Sequence, residues 1–402
     1  MSFQQGLSGL NAAAKNLDVI GNNVANSGTV GFKQSQTQFA DVYANSLTGA
    51  GGSQVGIGVQ LAQVAQQFTQ GNITSTNNPL DIAINGGGFF RMDSNGEINY
   101  QRNGQFQLDR NGYIVSSGGA FLTGYTADAS GVLSTGAPAR LFINTSDLPP
   151  QVTGEVNSVL NLDSTNSALT AAGFNQNDPT TFHNSTSVSI FDSLGNAHTL
   201  QTYYVKTAAG SWSVFASTDG AAATSVGTLS FGTNGLLTTA MPLSTSVTVT
   251  TGAASPFTVD IDYTGTTQFG SAFSVNTLNQ DGFTSGRLAG FSVGDDGIIL
   301  GRYTNGQSAV LGQVVLASFA NPNGLQPLGN NMWAETATSG APLVGTPDTG
   351  SLGVLQSSAV EDSNVDLTAE LVNMITAQRV YQANAQTIKA QDAVLQTLVN
   401  LR

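Results

Sequence analysis

The sequence predicts a mainly β fold with terminal α-helices: two β-domains, one inserted in the other, plus an N- and C-terminal coiled-coil-like helical domain. Apolar residues recur at steps of three and four at both ends of the 402-residue chain, which is the period of a coiled-coil seam. The residues between are rich in Gly, Ser, Thr and Asn and carry short alternating apolar runs, as strands do. The pattern of apolar runs in the first β-region is interrupted by a different β-region and later resumes. This indicates that one β-domain is inserted in another.

The helical repeat at each end predicts one long helix. Its members are apolar side chains expected to face a common seam: Phe3, Leu7, Leu10, Leu17, Val24, Leu367, Leu371, Met374, Tyr381, Ile388, Leu395 and Val399. Two helices alone bury too little surface to hold firmly, so we expect part of this face to contact other subunits and drive polymerisation. The alternative is an intramolecular two-helix hairpin that only closes the fold. The layout favours a polymer subunit over an enzyme.

The first β-region shows both strand and hairpin patterns. Leu80, Ile82 and Ile84 alternate with other residues at the period of two that is typical of a strand. Residues 93–96 and 109–112 both carry Asn-Gly between apolar runs. Because Asn-Gly supplies the two positive-φ residues of a type I′ turn, both segments predict β-hairpins of that type.

A second β-region begins after the Pro149-Pro150 pair, which cannot continue a strand ladder. Its alternating residues predict a core of its own: Val188, Ile190, Leu200, Tyr204, Trp212, Val214, Phe257, Val259 and Ile261. Near Gly282 the strand pattern of the first β-region resumes. We therefore divide the chain into terminal helices (1–27 and 363–402), a linker region (28–70 and 356–362), an inner β-domain (71–145 and 285–355) and an inserted outer β-domain (146–284).

Composition excludes several classes of function. The net charge is −13 with only 12 Lys and Arg, whereas nucleic acid requires clustered cations, so no nucleic-acid partner is expected. No apolar stretch of about 18 residues is present, so no membrane insertion is expected. Cysteine is absent, which excludes disulfides, thiol nucleophiles and Cys-based zinc sites. The N-terminal segment lacks the pattern of a cleavable signal peptide, so secretion would follow a route without cleavage.

Residues that resemble chemical sites have simpler explanations. His183 and His198 have no cysteine partners, so a metal site is not expected. Residues 290–294 match the G-x-S-x-G pattern around Ser292, but a strand-like segment follows and no histidine lies downstream. Such a match is expected by chance in a chain with 47 glycines. We predict no catalytic residue, no metal and no cofactor.

Both ends of the chain resemble the signature segments of the flagellar rod and hook axial proteins. The resemblance rests on motifs at the N-terminus (7–13, 17–26 and 31–33), at the first β-segment (80–84 and 88–90) and at the C-terminus (363–367, 370–375, 378–379, 381–382 and 384–386). Short members of the family without an insertion resemble rod proteins. The insertion and the length of this chain are similar to those of the hook members.

The resemblance implies a structural subunit that assembles into the flexible curved tube of the bacterial flagellar hook, the universal joint between rod and filament. Implied partners are further copies of the chain, the distal rod, hook cap and hook-filament junction proteins, and the flagellar type III export apparatus. The implied location is extracellular, in the hook of the flagellum, without a cleaved signal peptide. The alternatives are a distal rod protein, which shares the signatures, and a secreted β-rich adhesin, whose aromatic residues should cluster in one groove.

Overall fold

The computed structural model describes residues 2–42, 56–128 and 131–400. Its element order is one helix, a long series of strands and a second helix, so the predicted fold class is confirmed. The chain divides into two compact units. The first unit comprises Met1–Asn144, Gly290–Gly301 and Ser308–Arg402, and the second comprises Thr145–Ala289 and Arg302–Gln307. The second unit covers the stretch 146–284 that the sequence analysis assigns to an insertion, and it also takes in residues 302–307.

The two helices stand at the chain ends, where the apolar repeat predicts them. Helix α1 spans Ser2–Ala25 and helix α2 spans Leu367–Asn400. The start of α2 is capped by Asp366, whose Oδ1 accepts the backbone N–H groups of Thr368 (2.9 Å) and Ala369 (3.1 Å). This satisfies donors that a helix leaves open at its first turn.

The segment after α1 forms a hairpin in the region predicted as a linker. Strands β1 (Ser35–Val42) and β2 (Gly58–Gln66) pair antiparallel, with Ser35 opposite Gln66 and Val42 opposite Gly58. Alternation is present in β1, but its side chains are mostly polar, so the period-two signal of a buried face is weak. The linker prediction therefore missed a regular element.

The N-terminal part of the inner β-domain supplies short strands: β3 (Ile73–Ser75), β4 (Ile82–Asn85), β5 (Phe89–Ser94), β6 (Glu97–Gln101), β7 (Phe106–Leu108), β8 (Ile114–Ser116), β9 (Phe121–Thr126) and β10 (Ala139–Arg140). The hairpin β5–β6 closes through Asn95 (φ 55°) and Gly96 (φ 96°). Both central residues have positive φ, so the type I′ prediction is confirmed here.

The second predicted hairpin, β7–β8, is present but its turn type was wrong. Only Gly112 has a positive φ (88°) in this loop. Asp109 Oδ1 accepts the N–H groups of Asn111 (2.9 Å) and Tyr113 (2.8 Å). The aspartate side chain organises a longer loop in place of the two-residue turn.

The second unit contains two four-stranded sheets. Its strands are β11 (Glu155–Asn161), β12 (Asn184–Phe191), β13 (Ala197–Ala208), β14 (Ser211–Thr218), β15 (Thr224–Ser230), β16 (Leu243–Val247), β17 (Phe257–Asp262) and β18 (Ser274–Gln280). One sheet has the order β16-β17-β11-β18 and the other the order β12-β13-β14-β15. Every residue predicted for this core belongs to one apolar cluster, with Val188 and Phe257 partly buried at its edge.

The chain then returns to the first unit. The remaining strands of the chain are β19 (Leu288–Val293), β20 (Ile298–Tyr303), β21 (Ser308–Val314), β22 (Leu316–Ser318), β23 (Gln326–Gly329), β24 (Met332–Ala334), β25 (Leu343–Gly345), β26 (Val354–Ser357) and β27 (Ala359–Glu361). Late strands pair with early ones: β26 with β4, β27 with β3, and β24 with β6. Short 3₁₀ helices occur at Ala171–Gly173 and Pro322–Gly324.

An aromatic cluster fills one part of the first unit. Phe89 meets Phe68, Phe319 and Trp333 edge to face, with ring centroids 5.4–5.9 Å apart. These residues come from segments far apart in sequence, so the cluster ties the early and late parts of the chain into one core.

Candidate assembly interface

Helices α1 and α2 pack on each other through small residues. Ala13 and Ala377 are buried, and a Cβ built on Gly9 would lie 2.8 Å from Oδ1 of Asn384. A Cβ on Gly6 would lie 3.1 Å from Cγ1 of Ile388. Small side chains let the two backbones approach closely. Small residues add little to the apolar repeat, which is why sequence reasoning missed them.

Six of the twelve residues of the predicted seam are exposed on the single chain. Those with exposed side chains, between 37% and 54% accessible, are Phe3, Leu7, Leu367, Leu371, Tyr381 and Leu395. Those that are half-buried are Leu10, Leu17, Val24, Met374 and Ile388. The side chain of Val399 lies outside the described residues. Of this set, Ile388 contacts the partner helix next to Gly6. These exposed apolar side chains remain uncovered on the helices of a single chain.

The hairpin β1–β2 is fastened to α1 by side-chain amides and hydroxyls. Asn23, which is buried, donates Nδ2 to the carbonyl of Ser35 (2.8 Å) and accepts the N–H of Ser35 through Oδ1 (2.9 Å). Thr37 Oγ1 donates to Asn16 Oδ1 (2.6 Å). The side-chain amide of Asn23 thus hydrogen-bonds both the N–H and the carbonyl of Ser35, as the backbone of a neighbouring strand would.

A polar junction joins α2 to the segment that follows α1. The backbone N–H of Gln34 donates to Asn364 Oδ1 (2.7 Å), and Asn364 Nδ2 donates to the carbonyl of Gln67 (2.7 Å). The side chain of Gln34 donates to Glu370 Oε1 (2.6 Å). These bonds link three segments beside the helix pair.

Next to this junction is a buried ion cluster of Lys33, Arg102 and Glu361; Lys33 Nζ and Asn364 Nδ2 both donate to the carbonyl of Thr69. Lys33 Nζ is 2.7 Å from Glu361 Oε1, and Arg102 Nε is 2.8 Å from Oε2. All three side chains are at most 4% exposed. Glu361 also accepts the N–H of Gly71 at 2.9 Å. One carboxylate therefore holds two cations from distant parts of the chain.

Burial and charge oppose each other in this cluster. Burial by itself would raise the pKa of Glu361, but the charges of Arg102 and Lys33 outweigh it and lower that pKa. Burial also lowers the pKa of Lys33, against the opposing effect of Glu361. The glutamate thus stays ionised because two cations face it.

The two histidines and the serine considered for chemistry have defined contacts or positions in the fold. His198 lies between Asp219 (Nδ1–Oδ2 2.6 Å) and Asp192 (Nε2–Oδ2 3.2 Å). Burial would lower the pKa of His198, but these two carboxylates outweigh it and raise that pKa. His183 contacts the carbonyl of Ser167 at 2.8 Å. Ser292 lies within strand β19, not on a strand-to-helix turn. In the part of the chain that the structure describes, no group of acidic or histidine side chains is arranged to hold a metal.

The close approach of the two helices predicts the effect of larger side chains. Replacing Gly9 by leucine should lower the free energy of unfolding by about 1–3 kcal/mol, because the side chain overpacks the contact with Asn384. Urea unfolding followed by circular dichroism measures this. The control is Gly21→Ala: no atom of the described residues lies within 4 Å of its Cβ position, so a gain of up to about 1 kcal/mol is expected. Equal effects at both positions would contradict this packing.

Comparison with known proteins places both helices and both β-regions in one class. Family models match residues 3–33 (flagella basal body rod protein), 83–156 (flagellar hook protein FlgE/F/G D1 domain), 161–283 (flagellar basal body protein FlaE D2 domain) and 356–401 (flagellar basal body rod FlgEFG protein C-terminal). These models define an axial protein of the bacterial flagellum.

Comparison with full-length relatives distinguishes among the axial proteins of the flagellum. The chain is 43% identical over 409 residues to the flagellar hook protein FlgE of Escherichia coli K12 and 44% identical over 414 residues to that of Salmonella typhimurium LT2, each covering 100% of both chains. The hook protein FlgE of Brucella suis is 33% identical over 406 residues, covering 100% of this chain and 98% of the relative. The chain belongs to the flagellar hook protein family and is a hook subunit.

A solved structure supports the fold. The crystal structure of the Helicobacter pylori flagellar hook protein FlgE2 aligns with a TM-score of 0.55 over 72% of this chain and 100% of that chain, at 14% sequence identity.

Within the described residues, no helix is both long and apolar enough to cross a membrane.

Proposed function

We propose that this hook subunit polymerises through its terminal helices into the inner wall of a flexible curved tube. The observation that carries the proposal is the apolar surface left on α1 and α2 after they have packed on each other, including Leu7, Leu371 and Leu395. An exposed apolar surface of this kind is typical of an interaction site. Close-packed apolar contacts would seal the wall.

The two β-domains would lie outward, with the inserted domain outermost. Only 9% of residues are charged, against about 25% in ordinary soluble proteins. Contacts between domains rich in Ser, Thr and Asn can be small and bridged by water. Such contacts exchange easily, so the tube can bend while its inner wall stays closed.

The remaining parts of the proposal concern partners and location. The subunit would join the distal rod, the hook cap and the hook-filament junction proteins, and would reach its place through the flagellar type III export apparatus without losing an N-terminal signal. It would work outside the cell. Its role is structural, without catalysis or cofactor.

Electron microscopy tests this proposal. Concentrated full-length protein should form tubes or protofilaments. A chain in which a short Gly/Ser link replaces residues 146–284 should still polymerise, because the helices and the inner β-domain remain, but its tubes should lose regular curvature. Dispersed particles from the full-length chain would overturn the proposal. Curved tubes of unchanged shape from the shortened chain would overturn the division of labour between the domains.

A further inference from the structure

A groove of about 730 Å³ runs beside the helix pair. Helix α1 contributes Ala13 and Asn16, helix α2 contributes Glu370, Ala377 and Asn384, and β1 also lines it. Glu370 is the one charged residue along its described lining. The groove therefore combines small apolar residues, amides and a single carboxylate.

Only one of the two carboxylate oxygens of Glu370 has a hydrogen-bond partner among the described residues. The residue is 3% exposed. Its Oε1 accepts the side-chain amide of Gln34 at 2.6 Å, whereas Oε2 is buried without a hydrogen-bond partner among the described residues. Glu370 lies in the first turn of α2, where the helix dipole favours a negative charge. No described N–H group of that turn donates to Oε2, however. A buried carboxylate oxygen without a donor is costly, so a cationic donor that enters the groove would be stabilised.

The terminal helices carry one well-placed cation for this role. Arg379 is exposed and forms no ion pair in the described part of the chain, whereas Lys15 lies 3.4 Å from Asp18. Arg379 follows Glu370 by nine positions, and at about 100° per residue the two side chains point about 180° apart around α2. Arg379 therefore cannot reach the groove of its own chain.

We propose that Arg379 of a second copy of this chain enters the groove and donates to Glu370. This inference rests on the proposed function, since it names the contact by which the helices of neighbouring subunits recognise each other. The donor and the acceptor lie on opposite faces of α2, so one subunit can use its groove and its Arg379 on two different neighbours. Such a contact is heterologous, so it builds a ring or a helical polymer instead of closing into a two-fold dimer.

The guanidinium suits this task better than the ammonium group of Lys389, which is also exposed on α2 and forms no ion pair with any described residue. Nineteen positions separate Lys389 from Glu370, which places it about 100° around the helix, not on the opposite face. The planar guanidinium can donate to the carboxylate and also to amides such as Asn16 and Asn384 in the groove wall. Lys389 therefore serves as the matched control.

A double-mutant cycle tests the pairing through the lowest concentration at which the full chain assembles, measured by sedimentation. Arg379→Gln and Glu370→Gln should each raise this concentration about tenfold or more. The double variant should cost little beyond either single change, because both remove one interaction. Glu370→Gln combined with Lys389→Gln should instead show effects that multiply. Multiplying effects for the Glu370 and Arg379 pair would overturn the proposal.

Cross-linking gives a second readout that keeps both partners intact. The chain has no cysteine, so single cysteines report specific contacts. Chains carrying Asn373→Cys, in the groove wall, are co-assembled with chains carrying Gln382→Cys, one turn beyond Arg379, and treated with a short bis-maleimide. Cross-linked 373–382 peptides are expected. Thr397→Cys, about 27 Å further along α2 than Arg379, should give none with Asn373→Cys.

The two readouts separate this contact from the broader proposal. Polymers that form normally but give no 373–382 cross-link would overturn the Arg379 contact alone. Failure of the unmodified chain to assemble at all would overturn the proposed function and this contact with it.

Discussion

Replacing Glu361 by glutamine is expected to lower the free energy of unfolding of the first unit by about 3–5 kcal/mol. The substitution removes the negative charge that lies 2.7 Å from Lys33 Nζ and 2.8 Å from Arg102 Nε, and both cations stay buried. Arg102 would keep its bonds to the carbonyls of Gly86 and Gly88, but carbonyl dipoles do not neutralise a charge. Urea unfolding of the full chain, followed by near-ultraviolet circular dichroism, measures the loss.

The control is the same chemical change at an exposed ion pair. Asp18 lies 3.4 Å from Lys15, and their side chains are 68% and 63% exposed. Asp18→Asn should change the free energy of unfolding by less than about 1 kcal/mol, because water screens such pairs. A cost at Glu361 no larger than the cost at Asp18 would show that the buried ion cluster contributes little.

The same cluster sets a dependence on pH. The pKa of Glu361 lies below its ordinary value of 4.5 in the folded chain, so the folded state binds this proton less readily than the unfolded state. The stability that it contributes is complete above the unfolded pKa and is lost as the pH falls through the folded pKa. The Glu361→Gln variant should lack this component in acid unfolding curves.

Replacing Leu371 by aspartate should abolish assembly while leaving the single chain folded. The side chain is 45% exposed on α2, so the charge stays hydrated in the monomer. In a packed seam between subunits it would be buried without a partner, at a cost of several kcal/mol. Sedimentation and electron microscopy measure assembly, and circular dichroism verifies the fold.

The matched control for Leu371 is an equally apolar position in the second unit. Leu194, which is 58% exposed, lies in the turn between β12 and β13. Leu194→Asp should assemble as the unmodified chain does. If Leu371→Asp protein still forms normal tubes, the seam on α2 is assigned wrongly.

The parts of the fold that depend on local pattern are visible in the sequence. The apolar repeats give both helices, and alternation in the second β-region gives residues of its core, such as Trp212 and Val214, both fully buried. Asn95-Gly96 forms the expected turn because its conformation depends on those two residues. Each of these signals lies within a short window.

The parts that were missed depend on distant pairing or on small residues. Lys33 and Glu361 lie 328 positions apart, and no short motif announces that they meet. The contact between α1 and α2 uses Gly9 and Ala13, which a search for large apolar residues passes over. The groove beside Glu370 exists only once both helices and β1 are in place.

The pairing of early with late strands has a consequence for how the chain matures. Ile84 of β4 pairs with Leu355 of β26, 271 positions later, and Thr74 of β3 pairs with Val360 of β27, 286 positions later. The second unit, by contrast, draws nearly all of its residues from one continuous stretch, Thr145–Ala289. During synthesis, which begins at the N-terminus, the second unit can therefore fold early. The first unit can finish folding only after the last segment has been made. Loss of that segment would leave β3 and β4 without their partner strands, so a truncated subunit would have no finished first unit to offer to an assembly.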